Sequence, residues 1–144
     1  MFSKSCEYGI KATAFIAVQA TAGKRACLKD IASAIDSPVA FTAKILQQLA
    51  RTGIIHSVQG ATGGFEVYQS ELGKITLSQI VAAIDGDEVY KGCGLGLKAC
   101  NARKPCPVHD KFVTIRDELR EMLEGTSVQD LAQGLKRGHT YLKR

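Results

Sequence analysis

The chain has 144 residues, 45% of them hydrophobic and 23% charged, which is the size and balance of one globular domain with a buried core and excludes a disordered chain. Its 19 basic and 14 acidic side chains leave a formal charge of +5, suited to an anionic partner such as nucleic acid, with no Lys/Arg block long enough to form a tail. No run reaches the roughly 18 consecutive apolar residues of a membrane span, so no membrane partner is expected.

The first segment contains "KATAFIAVQATAG", which could pass for the apolar region of a signal peptide. Glu7, Lys11 and Gln19 interrupt it, however, and Ile10, Ala14, Ala17, Val18 and Ala22 keep helical spacing, so the segment reads as a helix over about 5–22, stopped at Gly23. Without an export signal a reducing, cytoplasmic setting is expected, and an odd count of five cysteines argues against a disulfide framework. A second helix over about 28–35 aligns Leu28, Ile31, Ala32 and Ile35 and breaks at "DSP". A third starts there, with Ser37 as its cap and Pro38 in its first turn, and ends at Gly53. Two short helices so tightly joined form a helix-turn-helix pattern.

The period then changes. In "IIHSVQGATGGFEVYQS", β-branched and aromatic residues flank a glycine-rich tip, which predicts a hairpin and, with the preceding helices, a winged helix. "ITLSQIVAAIDGD" returns to helical spacing, with Thr76 or Ser78 near its start, and halts at Gly86. A loop over about 87–110 follows. Beyond it Phe112, Ile115, Leu119, Met122 and Leu123 form an apolar stripe, with Lys111, Arg116, Asp117, Arg120, Glu121 and Glu124 on the outside. That stripe needs cover from its own domain or a second copy. "TSVQDLAQGL" predicts a last short helix, and "KRGHTYLKR" a frayed basic tail.

On the third helix, Phe41, Ile45, Leu46 and Leu49 point one way, while Ala40, Ala43, Lys44, Gln47 and Arg51 point the other. Small residues on the outer face permit close approach to a major groove, and Lys44 and Gln47 can bond base edges or phosphates. Gln59, Gly60, Ala61 and Thr62 at the hairpin tip would lie along the DNA backbone or minor groove. A merely solvated helix face is the alternative.

The loop carries Cys93-x6-Cys100-x5-Cys106-x2-His109, with glycines for turning and Pro105 and Pro107 for stiffness. Structural zinc, an iron-sulfur cluster and a thiol redox switch all remain open, although zinc sites usually show a tight C-x2-C pair that is absent here. Lys91, Lys98, Arg103 and Lys104 are expected to favour the thiolates through their positive field. Cys27 reads as a small apolar helix-start residue, Cys6 as a partnerless residue of the first helix, and His56 as a hairpin surface residue. The chain lacks a phosphate-binding glycine motif, a paired-histidine metal signature and a nucleophile elbow, so no enzyme is expected. A small iron-sulfur electron carrier would explain the loop and leave the wing without a purpose.

In order, "SKSCEYGIKATAFIA", "LKDIASAIDSPVAFTAKILQQLARTGII", "QGATGGFEV", "ITLSQIVAAIDG" and "CPVHDKF" resemble the Rrf-type winged-helix regulators of the IscR and NsrR kind, from residue 1 to about residue 133. The resemblance implies a mainly α fold with a small β-hairpin wing: a winged helix-turn-helix over 1–86, a cluster-binding loop over 87–109, and a long dimerisation helix with a tail over 110–144. It implies a bacterial homodimer that binds double-stranded DNA, with a palindromic operator following from the symmetry. It further implies Cys93, Cys100 and Cys106 as thiolate ligands and His109 as the fourth ligand of a two-iron two-sulfur cluster. In other branches a carboxylate of the partner subunit is the fourth ligand; Glu7 occupies about that position, and a four-iron cluster is then possible. The first cysteine gap is six residues where the IscR pattern has five. Gln59 replaces a wing arginine, and Ala43 stands where some members carry an acidic residue, so the operator is not expected to match that of relatives.

Overall fold

A computed structural model describes residues 1–144. Its elements are α1 (Lys4–Thr21), α2 (Leu28–Ala34), α3 (Val39–Arg51), β1 (His56–Val58), β2 (Gly64–Glu66), α4 (Leu77–Asp85), α5 (Glu88–Lys91), α6 (His109–Gly125) and α7 (Val128–Lys136), with one 3-10 turn at Gln69–Glu71. The architecture is the expected mainly helical winged helix with a small antiparallel hairpin.

Helix α1 is the centre of the packing. The Ser3 hydroxyl caps it, accepting from the Cys6 N–H at 3.0 Å. Its buried positions are mostly small: Gly9, Ala12, Thr13, Ala14, Ala17 and Ala20, with Cys6 and Ile16. Small side chains bring neighbouring backbones close. A Cβ on Gly9 would fall 2.2 Å from Ile84 Cδ1 and 3.5 Å from Ile45 Cγ2, so α4 and α3 meet α1 at this one residue. The end of α4 is tied to the start of α1, because the Asp85 carboxylate accepts the Ser3 N–H at 3.0 Å and also the Ser3 hydroxyl.

Between α2 and α3 the chain turns at Asp36, with φ of +53°, a conformation that aspartate tolerates better than most residues. Ser37 does not cap α3. Pro38 occupies the cap position with extended backbone (ψ 136°), and the Ser37 hydroxyl is drawn instead to the hydroxyl of Thr42. Thr42 in turn donates to the Pro38 carbonyl at 2.8 Å and lies fully inside, whereas Phe41, expected inward, is half-buried against the edge of Tyr8 at 5.7 Å between ring centroids. The buried face of α3 is thus Thr42, Ile45, Leu46 and Leu49.

In the hairpin, His56 stands opposite Glu66 and Val58 opposite Gly64. Ala26, between α1 and α2, adds a third edge: its N–H donates to the Phe65 carbonyl at 2.9 Å, and its carbonyl accepts the Phe65 N–H at 2.8 Å. A single bridging residue has no periodicity and so leaves no sign in the sequence. The predicted loop also contains a helical turn, α5, that was not expected.

Helix α4 starts with Thr76 donating its N–H to the Gln79 side chain at 2.9 Å. The link between α6 and α7 is stitched to that start: Leu77 N–H to Thr126 carbonyl at 3.0 Å, and Val128 N–H to Ile75 carbonyl at 2.8 Å. Ser127 and Asp130 form a capping box that begins α7, and the Ser127 amide and hydroxyl hold the Asp130 carboxyl below its usual range. Helix α7 lies along α1. The tail is less frayed than expected, since Leu142 packs on the core and the Lys143 ammonium donates to the Ser33 carbonyl at 3.0 Å.

Of the α6 stripe, only Leu123 is fully buried; Ile115 and Met122 remain 53% and 46% exposed. Leu123→Ala should therefore loosen α6 from the core at a cost of about 3 kcal/mol, read as a lower urea midpoint at unchanged slope. A loss below about 1 kcal/mol would contradict that anchoring role.

Candidate functional site

Two surfaces carry the residues singled out in the sequence. On the first, Ala40, Lys44 and Gln47 of α3 are exposed and Ala43 is half-buried, while Gln59, Gly60 and Thr62 are exposed at the hairpin turn. Gln47, Arg51, Ser57 and Gln59 line one shared groove of about 490 Å³, so the helix face and the hairpin form one surface. Its relative geometry depends on a residue the sequence reading passed over. The Arg25 guanidinium bonds Glu66 at 3.0 Å through Nε and the Thr62 carbonyl at 3.3 Å, pinning the hairpin to the segment before α2. The only sequence signal was a basic residue opposite an acidic one across two elements that nothing had paired.

On the second surface, Cys93, Cys100, Cys106 and His109 are all partly exposed. Cys106 lies near Cys93 and adds to the lowering of its thiol, behind the Leu95 and Leu97 amides. Cys100 Sγ lies 3.4 Å from His109 Nδ1, at the first residue of α6. No three His, Cys, Asp or Glu side chains gather closely enough to hold a single metal ion. Three thiols and one imidazole on one loop are, as a donor set, what a binuclear iron-sulfur group can take, with two protein ligands to each iron. The backbone around Cys93 suits a bound thiolate as well: the Leu95 and Leu97 amides, aimed at its sulfur, hold the thiol below its usual value.

That cause corrects the expectation that the surrounding lysines and arginines would do this; Lys91, Lys98, Arg103 and Lys104 are exposed side chains. A cation does reach the loop, but from a residue expected on the outside of α6. Arg116 is half-buried and donates to Cys100 Sγ at 3.1 Å and to the Gly92 carbonyl at 2.6 Å. Phe112, one turn earlier, covers Gly94 so closely that a Cβ there would fall 2.4 Å from its ring.

The remaining candidates separate from this centre. Glu7 is partly exposed and pairs with Lys4 at 3.3 Å. Cys27 is exposed at the start of α2 rather than packed as a small apolar residue. Cys6 is fully buried, and burial together with the Asp85 carboxylate pushes its thiol up to about 12. His56 stacks on Tyr68 at 4.2 Å between centroids and lies 3.4 Å from Glu71, so it is more engaged than a free surface residue.

The model of the Rrf2 family, described as an iron-dependent transcriptional regulator, matches residues 2–134. An Aquifex aeolicus protein named as an HTH-type transcriptional regulator is 29% identical over 133 residues, covering 91% of this chain and 90% of that one. CymR of Bacillus subtilis, an HTH-type transcriptional regulator, is 27% identical over 105 residues, covering 73% of this chain and 70% of its own. Among solved structures, CymR of B. subtilis, described as its global cysteine regulator, superposes with a TM-score of 0.74 at 23% identity over 92% of this chain and 96% of that one. IscR of T. potens superposes at 0.75 and 18% identity, covering 97% of this chain and 91% of that one. At such identities the two superpositions speak for the fold alone.

Two outcomes follow from the geometry. In metal-free protein near pH 8, iodoacetamide should label Cys93 at least about tenfold faster than Cys6, because only the thiolate reacts; equal rates mapped by mass spectrometry would contradict the assigned environments. Arg25→Ala should free the hairpin and weaken binding to duplex DNA by about 1 kcal/mol without lowering thermal stability by more than a few degrees, and unchanged binding would show that the hairpin needs no such pin.

Proposed function

The chain belongs to the Rrf2 family of transcriptional regulators, and from that premise we propose that it is a homodimeric, cytoplasmic DNA-binding regulator whose promoter binding follows the state of an iron-sulfur cluster. The cluster is held by Cys93, Cys100, Cys106 and His109 and is of the two-iron two-sulfur type. The observation that carries this reading is the approach of Cys100 Sγ to His109 Nδ1 at 3.4 Å, which joins the cysteine loop to the first turn of α6. Tetrahedral zinc usually draws on a tight C-x2-C pair that this loop lacks, whereas an iron-sulfur group accepts wider spacings and a histidine in place of one thiolate. Glu7 of the partner subunit is then unnecessary as a ligand.

DNA is read by α3 and the hairpin. Ala40 and Ala43 allow close approach, Lys44 and Gln47 meet bases or phosphates, and Gln59, Gly60 and Thr62 follow the backbone beside the groove. The exposed Ile115 and Met122 on α6 support a second copy as the cover for the stripe, since large apolar side chains left on one helix face mark an interaction surface. A two-fold dimer places two α3 helices on two half-sites, which makes the operator palindromic.

The cluster, when bound, supplies redox chemistry and sulfur-centred reactivity. The chain's own contribution is mechanical. His109 belongs to both the ligand set and the first turn of α6, and Phe112 seats Gly94 on the same helix. The other end of the loop runs through α5 to Asp85 and Gly86, where α4 meets α1 and α3. Ordering the loop therefore fixes the dimer helix relative to the DNA-reading helix, and loss or oxidation of the cluster releases that relation.

A second reading, a cluster-free thiol switch, draws support from three free, partly exposed thiols on one loop and from the likeness to CymR. Protein purified without oxygen separates the two. Equal iron and sulfide with visible absorbance, lost in Cys93→Ala, Cys100→Ala, Cys106→Ala and His109→Ala proteins, upholds the cluster. Colourless protein that cannot be reconstituted transfers the function to the thiols. For the DNA face, Lys44→Ala should weaken binding and reduce the slope of log affinity against log salt by about one if it meets a phosphate, whereas Gln47→Ala should cost about 1–3 kcal/mol on the operator alone.

A further inference from the structure

His109, Phe112 and Arg116 recur at helical spacing and give α6 a second face, turned to the cysteine loop and sharing Phe112 with the apolar stripe. His109 meets Cys100, Phe112 covers Gly94, and Arg116 reaches two points of the loop at once. The Arg116 fork spends Nη1 on the Gly92 carbonyl at 2.6 Å and Nη2 on Cys100 Sγ at 3.1 Å, while Nε is buried without a partner. No carboxylate answers its charge, because the ion pairs of the chain are Lys4–Glu7, Arg25–Glu66, His56–Glu71, Lys91–Asp87 and Arg120–Asp117. A half-buried guanidinium that bonds a sulfur and is otherwise uncompensated is costly unless it serves an anionic group. Only arginine carries a rigid fork that can hold a carbonyl and a sulfur from two parts of a loop in one geometry.

We infer that Arg116 is a positioning residue of the sensor: it fixes the Cys100 sulfur against α6 beside His109 and, through that bond, raises the reduction potential of the cluster. The inference rests on the cluster reading above. A bond donated to a ligand sulfur, together with a nearby positive charge, favours the reduced cluster, which carries one more electron and one more negative charge. The same contacts hold the loop in place when no cluster is bound.

Two measurements on the full chain test this, each with wild-type, Arg116→Met and Arg116→Lys proteins. Hydrogen exchange is followed in the metal-free form, and in the iron-sulfide-loaded form the midpoint potential is titrated with dithionite, which donates the single electron. In Arg116→Met, amides of residues 93–100 should exchange about tenfold faster, while those of α1 and α3 keep their wild-type rates. Its potential should fall by about 59 mV, equivalent to a tenfold change for one electron. Arg116→Lys should restore part of the potential, because the charge returns, and leave exchange fast, because the fork does not. Wild-type exchange and potential in Arg116→Met would overturn the inference. If the wild-type chain takes up no iron, the cluster reading fails, and exchange alone decides whether Arg116 positions the loop: faster exchange upholds that role and unchanged exchange removes it.

Discussion

Gly9 is where α1, α3 and α4 come together, and the absence of a side chain there lets the rest of the molecule assemble. Ile84 fills the space that a Cβ would take, and Ile45 lies at contact distance beside it. The neighbouring small residues of α1 extend the same close approach to α7, and Asp85 locks the contact by accepting both donors of Ser3. A helix lined by leucines would hold its neighbours farther off and leave the end of α4 free. Because the cysteine loop leaves from that end, its starting point is fixed relative to α3, which Tyr8 and Phe41 also tie to α1. The start of the cysteine loop and α3 thus share one packed block, and on the proposed reading what varies is how α6 is held against it.

Most of the fold was legible because its elements are strongly periodic. The stripes of α2, α3 and α4, the glycine-rich hairpin tip and the stop signals at Gly23, Gly53 and Gly86 each express a local rule, and the structure obeys them. Where local rules failed, a tertiary partner had taken over. Ser37 is a good capping residue by type, but Thr42 claims its hydroxyl. Ala26 carries no strand signal, yet it closes a bridge to Phe65. The short helix α5 has one turn and no period to detect.

The candidate sites were legible in part, and the division is physical. The cysteine loop announces its donors by residue type and local density, so Cys93, Cys100, Cys106 and His109 could be named from spacing. Arg25 and Arg116 could not, because each acts across a gap in the chain on a backbone carbonyl, an acceptor every residue carries. Arg116 also sits among outward charges at a position that helical periodicity alone assigns to solvent. The same limit explains Cys93, whose thiol is held down by amides of its own loop rather than by the basic side chains that composition brings to notice.

The central claim is that the state of the loop controls DNA binding, and the most direct test is the affinity for one operator fragment of the iron-sulfide-loaded dimer against the same preparation after the cluster is removed, at a single salt concentration. A difference of tenfold or more, about 1.4 kcal/mol of coupling between the loop and the DNA face, is the predicted result. Equal affinity of the two forms would contradict the account and leave the loop without a part in regulation.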